Sequence, residues 1–535
     1  MEGPRSALER RGFSDYFVMG ILVGGALLIR WLFLGCRGVL SGDEMHYAES
    51  LHRFLHGRFL DGVSDYWSFF YPMAAVPFGL LARDAEAGLR ILSILSGAAT
   101  VIPAYLIARR LWGRRAALLA GALVALHPNL LLFSVSAFTE SFYGVLVILA
   151  AYFFVRALSA GLATGAIGLA GAALGLAAAT RQEASFIAAI FVLMILVGAS
   201  ARAGAPALAT RLRRAAVLVA AFVVAMAPYF ALLHAKTGQW TAGSKAAVNL
   251  SSPAIWRTDL ERERYVYSLN AEGTARRIDE QAKESAVRVL WRERGAIARS
   301  YLPKLGEGAR LIPLLFATPF LLVLVPLGIF GKRVPRNLRD GETLLVILAL
   351  FPFALYSVFR VELRYLVPYL PVHLLWGAAG CDVLMRWISE RVSRRSVVAW
   401  GAAAVIVASL VPYDVHKYRS TAAADPVEWK AIGRWMRDTG RGGSRLLAEP
   451  GCSVSYYAGA PEATFIPWTD VPGLLAFARR ERFEYLLVDE RYIRDKRPQL
   501  GALLETPPPN GLEEVRRFDG PGASVSILFH VAQAS

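Results

Sequence analysis

The sequence predicts a mainly α-helical, polytopic membrane protein of about 11 transmembrane helices, with a small C-terminal α/β domain outside the bilayer. Three observations predict it. Of the 535 residues, 55% are hydrophobic, and the mean hydropathy is +0.41. Repeated apolar runs reach the roughly 17–25 residues that a spanning helix needs. The net charge of +17 is gathered in short arginine clusters between those runs, so it reports topology and not a nucleic-acid partner.

The first run covers about 16–34; Arg5, Arg10 and Arg11 precede it, and no small-residue cleavage pattern follows, so it reads as a retained helix. A second, about 87–108, ends in Arg109, Arg110, Arg114 and Arg115. Runs at about 116–133, 140–155, 163–179 and 183–197 lead into Arg202, Arg211, Arg213 and Arg214, and a seventh covers 215–234. The eighth, 311–330, is followed by Lys332, Arg333, Arg336 and Arg339; the ninth is 342–358. The tenth, 365–385, precedes Arg386, Arg391, Arg394 and Arg395, and the eleventh is 397–412. With a cytoplasmic N-terminus, the clusters after spans two, six, eight and ten all fall inside, as the positive-inside rule requires. The C-terminus then lies outside, and the alanine- and arginine-rich composition points to a bacterial inner membrane.

The expected division is a membrane domain over 1–413, with outer loops at 37–86 and 236–310, and an extracytoplasmic α/β domain over 414–535. The first outer loop holds two amphipathic segments, one starting at Asp43 and one near Phe70. Its Tyr66, Trp67, Phe69, Phe70 and Tyr71 suit the headgroup layer. In the second loop, 276–301 reads as a charged amphipathic helix with Ile278, Val289, Leu290, Trp291 and Ile297 as its apolar contacts. Gly161, Gly165, Gly168, Gly171 and Gly175 suit close helix packing. After about residue 425, helix-like stretches (429–437, 474–480) alternate with strands (445–448, 485–489, 524–530), the pattern of a small α/β domain. It carries no glycine-rich phosphate loop and no nucleophile elbow; packing and access are its expected roles, with acceptor binding as the alternative. Cys36, Cys381 and Cys452 show neither metal spacing nor a disulfide framework, although Cys36 and Cys452 could pair on the oxidising side.

The chemistry-bearing stretch is Ser41-Gly42-Asp43-Glu44-Met45-His46-Tyr47, directly after the first span. Ser41 and Glu44 have capping-box spacing, which accounts for Glu44 and leaves Asp43 without a structural task. On the same outer face fall Glu140 at the start of span four, Arg181 and Glu183 between spans five and six, and Arg360, Glu362 and Arg364 between spans nine and ten. Thr180 and Glu183 again have capping-box spacing, and the helix dipole alone favours Glu140. Arginines outside run against the positive-inside bias and ask for an anion. Guanidinium groups match phosphate oxygens bidentately, and a neighbouring carboxylate suits proton removal from a hydroxyl. The pattern fits glycosyl transfer from a polyprenyl-phosphate sugar. A transporter or flippase of lipid-linked sugars is the alternative, but it would put polar groups near the midplane and often show repeats.

At these residues the chain resembles the GT-C superfamily of glycosyltransferases, and is similar to the protein O-mannosyltransferase (glycosyltransferase family 39) and aminoarabinose transferase families. The likeness rests on Asp43-Glu44 with Tyr47, on Glu140 in "FTESFYG", on "TRQEASF" at 180–186, and on "RYLVPYLP" at 364–371. It spans roughly the first 385 residues in order. It implies an inverting, lipid-phosphate-sugar-dependent enzyme with Asp43 as base, joined at the catalytic centre by Glu44 and Glu140. Arg181, Arg364 and Arg360 would bind the donor phosphate, and His46, Tyr47, Glu183 and Tyr365 the substrates. The implied partners are a polyprenyl-phosphate sugar, a glycan, lipid or protein acceptor, and the bilayer. No cofactor is expected beyond the lipid-phosphate sugar as co-substrate; the acidic residues could bind a divalent metal, although no cluster has metal spacing.

Overall fold

The computed structural model describes residues 4–159, 163–198, 207–246, 285–331, 338–392, 395–449, 452–459, 464–521 and 524–532, with positions 250, 264 and 267–269. Arg202, Lys332, Arg333, Arg336, Arg394, Gly161 and Ile278 lie outside these residues, as do 276–284 and the side chains of Arg5, Arg10, Arg11 and Arg395. Two compact units emerge: a helical one (Met1–Leu34, Ser50–Gly243, Ala298–Tyr418), and a second (Gly35–Glu49, Ser244–Ile297, Arg419–Ser535) that contains a sheet.

In chain order the first helices are α1 (Pro4–Phe33), α2 (Asp43–Leu55), α3 (Phe59–Gly62), α4 (Phe70–Ala82), α5 (Ala85–Ala99) and α6 (Val101–Leu111). There follow α7 (Arg114–Leu126), α8 (Pro128–Val135), α9 (Glu140–Ser159), α10 (Thr164–Thr180), α11 (Ala184–Leu193) and α12 (Leu208–Thr237). Next come α13 (Ala286–Arg292), α14 (Arg294–Arg310), α15 (Ile312–Phe316), α16 (Pro319–Gly331) and α17 (Arg339–Tyr356). The series continues with α18 (Leu363–Leu366), α19 (Leu370–Arg391), α20 (Arg395–Ala408), α21 (Leu410–Ala424) and α22 (Val427–Asp438). Among the described residues, 5 helices are long and apolar enough to span a membrane, or up to 7 if each of two bent pairs is one span. The segment near Phe70, expected to be amphipathic, is instead apolar along α4.

The bent pairs replace two expected straight spans. α7 and α8 meet at 51°, and the break before α16 is 109°. Proline is the cause: Pro128 and Pro319 have no N–H to return to the preceding turn. The stranded carbonyls are satisfied by side chains. Arg30, fully buried on α1, donates to Ala125 O at 3.1 Å and Val124 O at 3.3 Å. Asn129 Nδ2 donates to Leu314 O (2.9 Å) and Leu315 O (3.1 Å). His127 Nδ1 accepts the Asn129 N–H at 3.3 Å, so its Nε2 carries the proton towards Phe316 O at 3.2 Å. Arg30→Met should strand two buried carbonyls at about 1–3 kcal/mol each. A lower melting midpoint in detergent checks this, and an unchanged one refutes the capping account.

Close helix pairs use glycine where backbones touch. A Cβ at Gly171 or Gly175 on α10 would lie 2.3 or 2.5 Å from backbone oxygens of α12. At Gly328 and Gly380, between α16 and α19, the gaps would be 2.0 and 1.9 Å. Two of the basic clusters carry acidic partners. Asp15 takes Arg109 at 2.9 Å and Arg114 at 3.3 Å, and the buried Asp382 takes Arg386 at 3.1 Å and Arg115 at 3.5 Å.

The second unit holds a five-stranded sheet, ordered β2-β1-β3-β5-β4. β1 (Leu446–Ala448), β2 (Thr464–Phe465) and β3 (Tyr485–Asp489) are parallel, whereas β5 (Val525–Val531) runs antiparallel to β3 and to β4 (Leu512–Asp519). Three of these strands are anticipated by alternation in the sequence; β2 is only two residues long, and β4 is polar. α23 (Val454–Ala458), α24 (Val471–Arg480) and α25 (Glu490–Lys496) complete the α/β pattern. Cys36 and Cys452 are both unbridged and buried, so the pairing considered for them does not form.

Candidate active site

In the helical unit, four chain segments converge on one guanidinium. α10 ends at Thr180, and Arg181 leaves it in an extended conformation (φ −148°, ψ 122°) that turns its side chain out of the helix. α9 begins at Glu140, and α17 delivers Tyr356 at its C-terminal end. Arg181 Nη1 lies 3.1 Å from Glu140 Oε1, Nε 2.5 Å from Glu183 Oε1, and Nη2 3.1 Å from Tyr356 Oη. Tyr356 closes the ring by donating to Glu183 Oε1 at 2.5 Å. The guanidinium also sits 5.6 Å from the Tyr143 ring and 5.4 Å from the Tyr365 ring, within cation–π reach. Tyr143 and Tyr369 share a hydroxyl hydrogen bond of 2.8 Å behind them.

These groups are withdrawn from water: the Glu140, Arg181 and Glu183 side chains are 3%, 14% and 15% exposed. Burial alone would lower the Arg181 pKa, but Glu183, Tyr356 and Glu140 more than reverse that and raise it well above its ordinary value. Burial would likewise raise Glu183, and the charge of Arg181 with the Tyr356 hydrogen bond instead lowers it. The capping box expected for Thr180 and Glu183 does not form. Thr180 Oγ1 donates to Leu176 O at 3.0 Å, and the Glu183 side chain makes no cap to α11. An arginine two residues away outcompetes a backbone N–H for that carboxylate.

The second basic group is adjacent. Glu362 receives Arg364 Nε at 2.9 Å and Arg360 Nε at 3.1 Å. Arg364 also donates to Tyr365 Oη at 3.1 Å and lies 4.9 Å from that ring, which itself stacks on Tyr356 at 4.8 Å. Glu362 thus bridges two arginines, as Arg181 bridges two carboxylates. Beneath Glu140, Ser141, Ser134, Thr100, Arg30 and Pro368 help line a small cleft.

Asp43, Glu44, His46 and Tyr47 belong to the other unit and open α2. Half of the predicted capping box is present: the Ser41 N–H donates to Glu44 Oε2 at 2.9 Å, while the Glu44 N–H goes to Ser41 O at 3.3 Å and not to the hydroxyl. Arg37 adds an ion pair to the same Glu44 oxygen and reaches Asp425 at 3.5 Å. Burial would lower the Arg37 pKa, and Glu44 and Asp425 raise it. Glu44 is fully buried, Asp43 half-buried, Tyr47 buried, and His46 sits 3.9 Å from Glu49.

A sequence model of the dolichyl-phosphate-mannose-protein mannosyltransferase family matches residues 75–230. No curated protein sequence matches the chain. Among solved structures, ArnT from Cupriavidus metallidurans bound to undecaprenyl phosphate aligns with TM-score 0.56 at 14% identity, over 96% of this chain and 99% of that one. The Archaeoglobus fulgidus oligosaccharyltransferase tethered to an acceptor peptide aligns with TM-score 0.62 at 12% identity, over 98% and 74%. The mycobacterial arabinofuranosyltransferase AftD aligns with TM-score 0.51 at 16% identity, over 96% of this chain and 40% of that one. The fold is that of the GT-C glycosyltransferases.

Within this GT-C fold, the structure brings Glu140, Arg181, Glu183, Arg360, Arg364 and Tyr365 together in the helical unit and puts Asp43, Glu44, His46 and Tyr47 on one helix start in the second unit. Sequence reading missed Tyr356, Tyr143 and Tyr369, whose hydroxyls lie inside apolar runs; a tyrosine there is the one signal available. It also missed Arg30 and the Arg37–Asp425 pair. A lone arginine within a span is a visible anomaly, but a partner 388 positions away is not.

Proposed function

We propose that this chain is an inverting glycosyltransferase that moves a sugar from a polyprenyl-phosphate donor to an acceptor hydroxyl on the extracytoplasmic face of the membrane. The proposal includes the eleven-span topology with a cytoplasmic N-terminus, an extracytoplasmic α/β domain, and the bacterial inner membrane. The observation that carries it is the buried Arg181–Glu140–Glu183–Tyr356 network beside the Arg360–Glu362–Arg364 group. The GT-C fold and the mannosyltransferase family match over 75–230 support the same reading.

In the proposed step, Asp43 takes the proton of the acceptor hydroxyl as its oxygen attacks the anomeric carbon. The bond from that carbon to the phosphate oxygen breaks, the configuration inverts, and polyprenyl phosphate leaves with the electron pair. Arg364 and Arg360, 27% and 36% exposed, meet the growing charge on the phosphate, a task guanidinium forks perform well. Arg181, already engaged by two carboxylates, anchors the site behind them and orients Glu140. Glu44 holds the first turn of α2, and His46, Tyr47 and Tyr365 keep the substrate-binding roles that the resemblance implies. Arg364→Ala should weaken binding of undecaprenyl phosphate to the purified protein by about tenfold or more, as expected for a charge-assisted bond worth about 1.5–3 kcal/mol. Wild-type affinity in Arg364→Ala and in Arg360→Ala would remove the phosphate from this arginine pair.

A further inference from the structure

The stretch bearing Asp43 is held by the α/β part of the chain, through contacts that all lie within one compact unit. The Gly38 N–H donates to Asp425 Oδ2 at 2.6 Å, and Gly38 O receives Lys430 Nζ at 3.4 Å. The Leu40 N–H donates to Tyr457 Oη at 3.0 Å, and Lys430 lies 5.0 Å from the Tyr457 ring. Ser455 Oγ approaches Met45 Sδ at 4.0 Å. The fit is tight: a Cβ at Gly38 would meet Val427 at 3.1 Å and Asp425 at 3.2 Å.

These contacts lead by touching groups to the first turn of α2. Asp425 pairs with Arg37, Arg37 with Glu44, and Glu44 Oε2 also takes the Ser41 N–H. Asp425 and Glu44 are both buried, so this is not a screened surface pair. Gly42 has φ +57°, so the chain enters α2 through a left-handed residue, a conformation open to glycine. Asp43 is the first residue of that turn. Hydrogen bonds at 38 and 40, with an ion pair at 44, hold the backbone on either side of it.

We propose that the α/β unit is part of the catalytic machinery, with Asp425 and Tyr457 as positioning residues that lock the 38–44 turn and thereby aim the Asp43 carboxylate. The inference rests on the reading of Asp43 as general base. It gives the C-terminal segment a task beyond packing and access, because loosening its grip costs turnover and not donor binding. A geometric error near 1 Å at a reacting group is enough to cost about a hundredfold in rate.

The test uses the full chain in lipid nanodiscs. Asp425→Asn keeps an acceptor for Gly38 and removes the charge that faces Arg37; Tyr457→Phe deletes one oxygen; Asp425→Glu is the conservative rescue; Arg517→Ala on the distant β4 is the control. Three readouts are taken: hydrogen exchange over 38–46, affinity for undecaprenyl phosphate, and kcat for its release from a panel of undecaprenyl-phosphate monosaccharides with cell-envelope acceptors. We expect faster exchange over 38–46 with the sheet still protected, unchanged affinity, and kcat at least tenfold lower in Asp425→Asn and Tyr457→Phe. Asp425→Glu should recover part of the rate. Wild-type exchange in both variants, or kcat within twofold of wild type while Asp43→Asn is inactive, overturns the inference and leaves the proposed function standing. An active Asp43→Asn overturns the base assignment whatever the exchange data say. Should Asp425→Asn fail to fold, Tyr457→Phe decides alone.

Discussion

Asp43→Asn should reduce sugar transfer about 10²–10⁴-fold in kcat, the range typical of a lost general base, while undecaprenyl phosphate still binds. The substitution is nearly isosteric, keeps Asp43's place at the start of α2, and leaves Glu44 with Arg37 and the Ser41 N–H. What disappears is the group that accepts the acceptor's proton. An amide at a helix N-terminus still accepts hydrogen bonds from backbone N–H groups, so the fold should tolerate it and the melting midpoint should move little. The same change in Glu44 should behave differently. Glu44→Gln weakens an ion pair that holds a buried turn, so it should lower stability as well as rate. Release of undecaprenyl phosphate from its sugar conjugates, with binding and melting measured alongside, separates the two. Turnover near wild type in Asp43→Asn would exclude this carboxylate as the base.

How much of this was legible in the sequence depends on the range of each interaction. The apolar runs, the arginine clusters and three of the strands are local patterns, and they predict the mainly helical fold and those strands. The broken helices are legible only in part: Pro128 and Pro319 announce the breaks, but the bends require distant caps, Arg30 and Asn129, that no local pattern links to them. At the candidate site, Glu140, Arg181, Glu183, Arg360, Arg364 and Tyr365 stand out as polar residues flanking apolar runs, and the structure brings them together. Their individual tasks were not legible. Thr180 and Glu183 satisfy a capping pattern, yet the carboxylate goes to Arg181 and Tyr356, because Tyr356 arrives from 173 positions away and spacing rules cannot see it. The pairing of Glu362 with both Arg360 and Arg364, and of Arg181 with two carboxylates, likewise follows from which side chains meet and not from which residues are present.

Arg181→Ala should be the most destabilising change at the site, by about 3–5 kcal/mol, the cost of breaking a buried ion pair by removing one partner. The truncation leaves the Glu140 and Glu183 carboxylates withdrawn from water without the guanidinium between them, and Tyr356 still donating to Glu183. The pH dependence should reverse as well. In the wild type, Glu183 is held below its ordinary value of 4.5. Its contribution to stability is therefore present above the unfolded-state pKa and lost as the pH falls through the lowered folded one. Without the charge of Arg181, burial, the largest influence on Glu183, is opposed only by hydrogen bonds and should raise its pKa; the folded state then prefers the protonated acid, and stability increases as the pH falls. The variant should thus melt higher at pH 5 than at pH 7, whereas in the wild type Glu183 costs stability only as the pH falls below its ordinary value of 4.5. Arg181→Lys keeps the charge but not the three-way fork, so it should fall between the two, with the wild-type sign of the pH effect. Equal melting midpoints for Arg181→Ala and wild type at both pH values would mean that the network contributes nothing to the fold. Arg181 would then have to be reassigned from anchor to phosphate ligand, and a loss of undecaprenyl phosphate affinity in the same variant would establish that role.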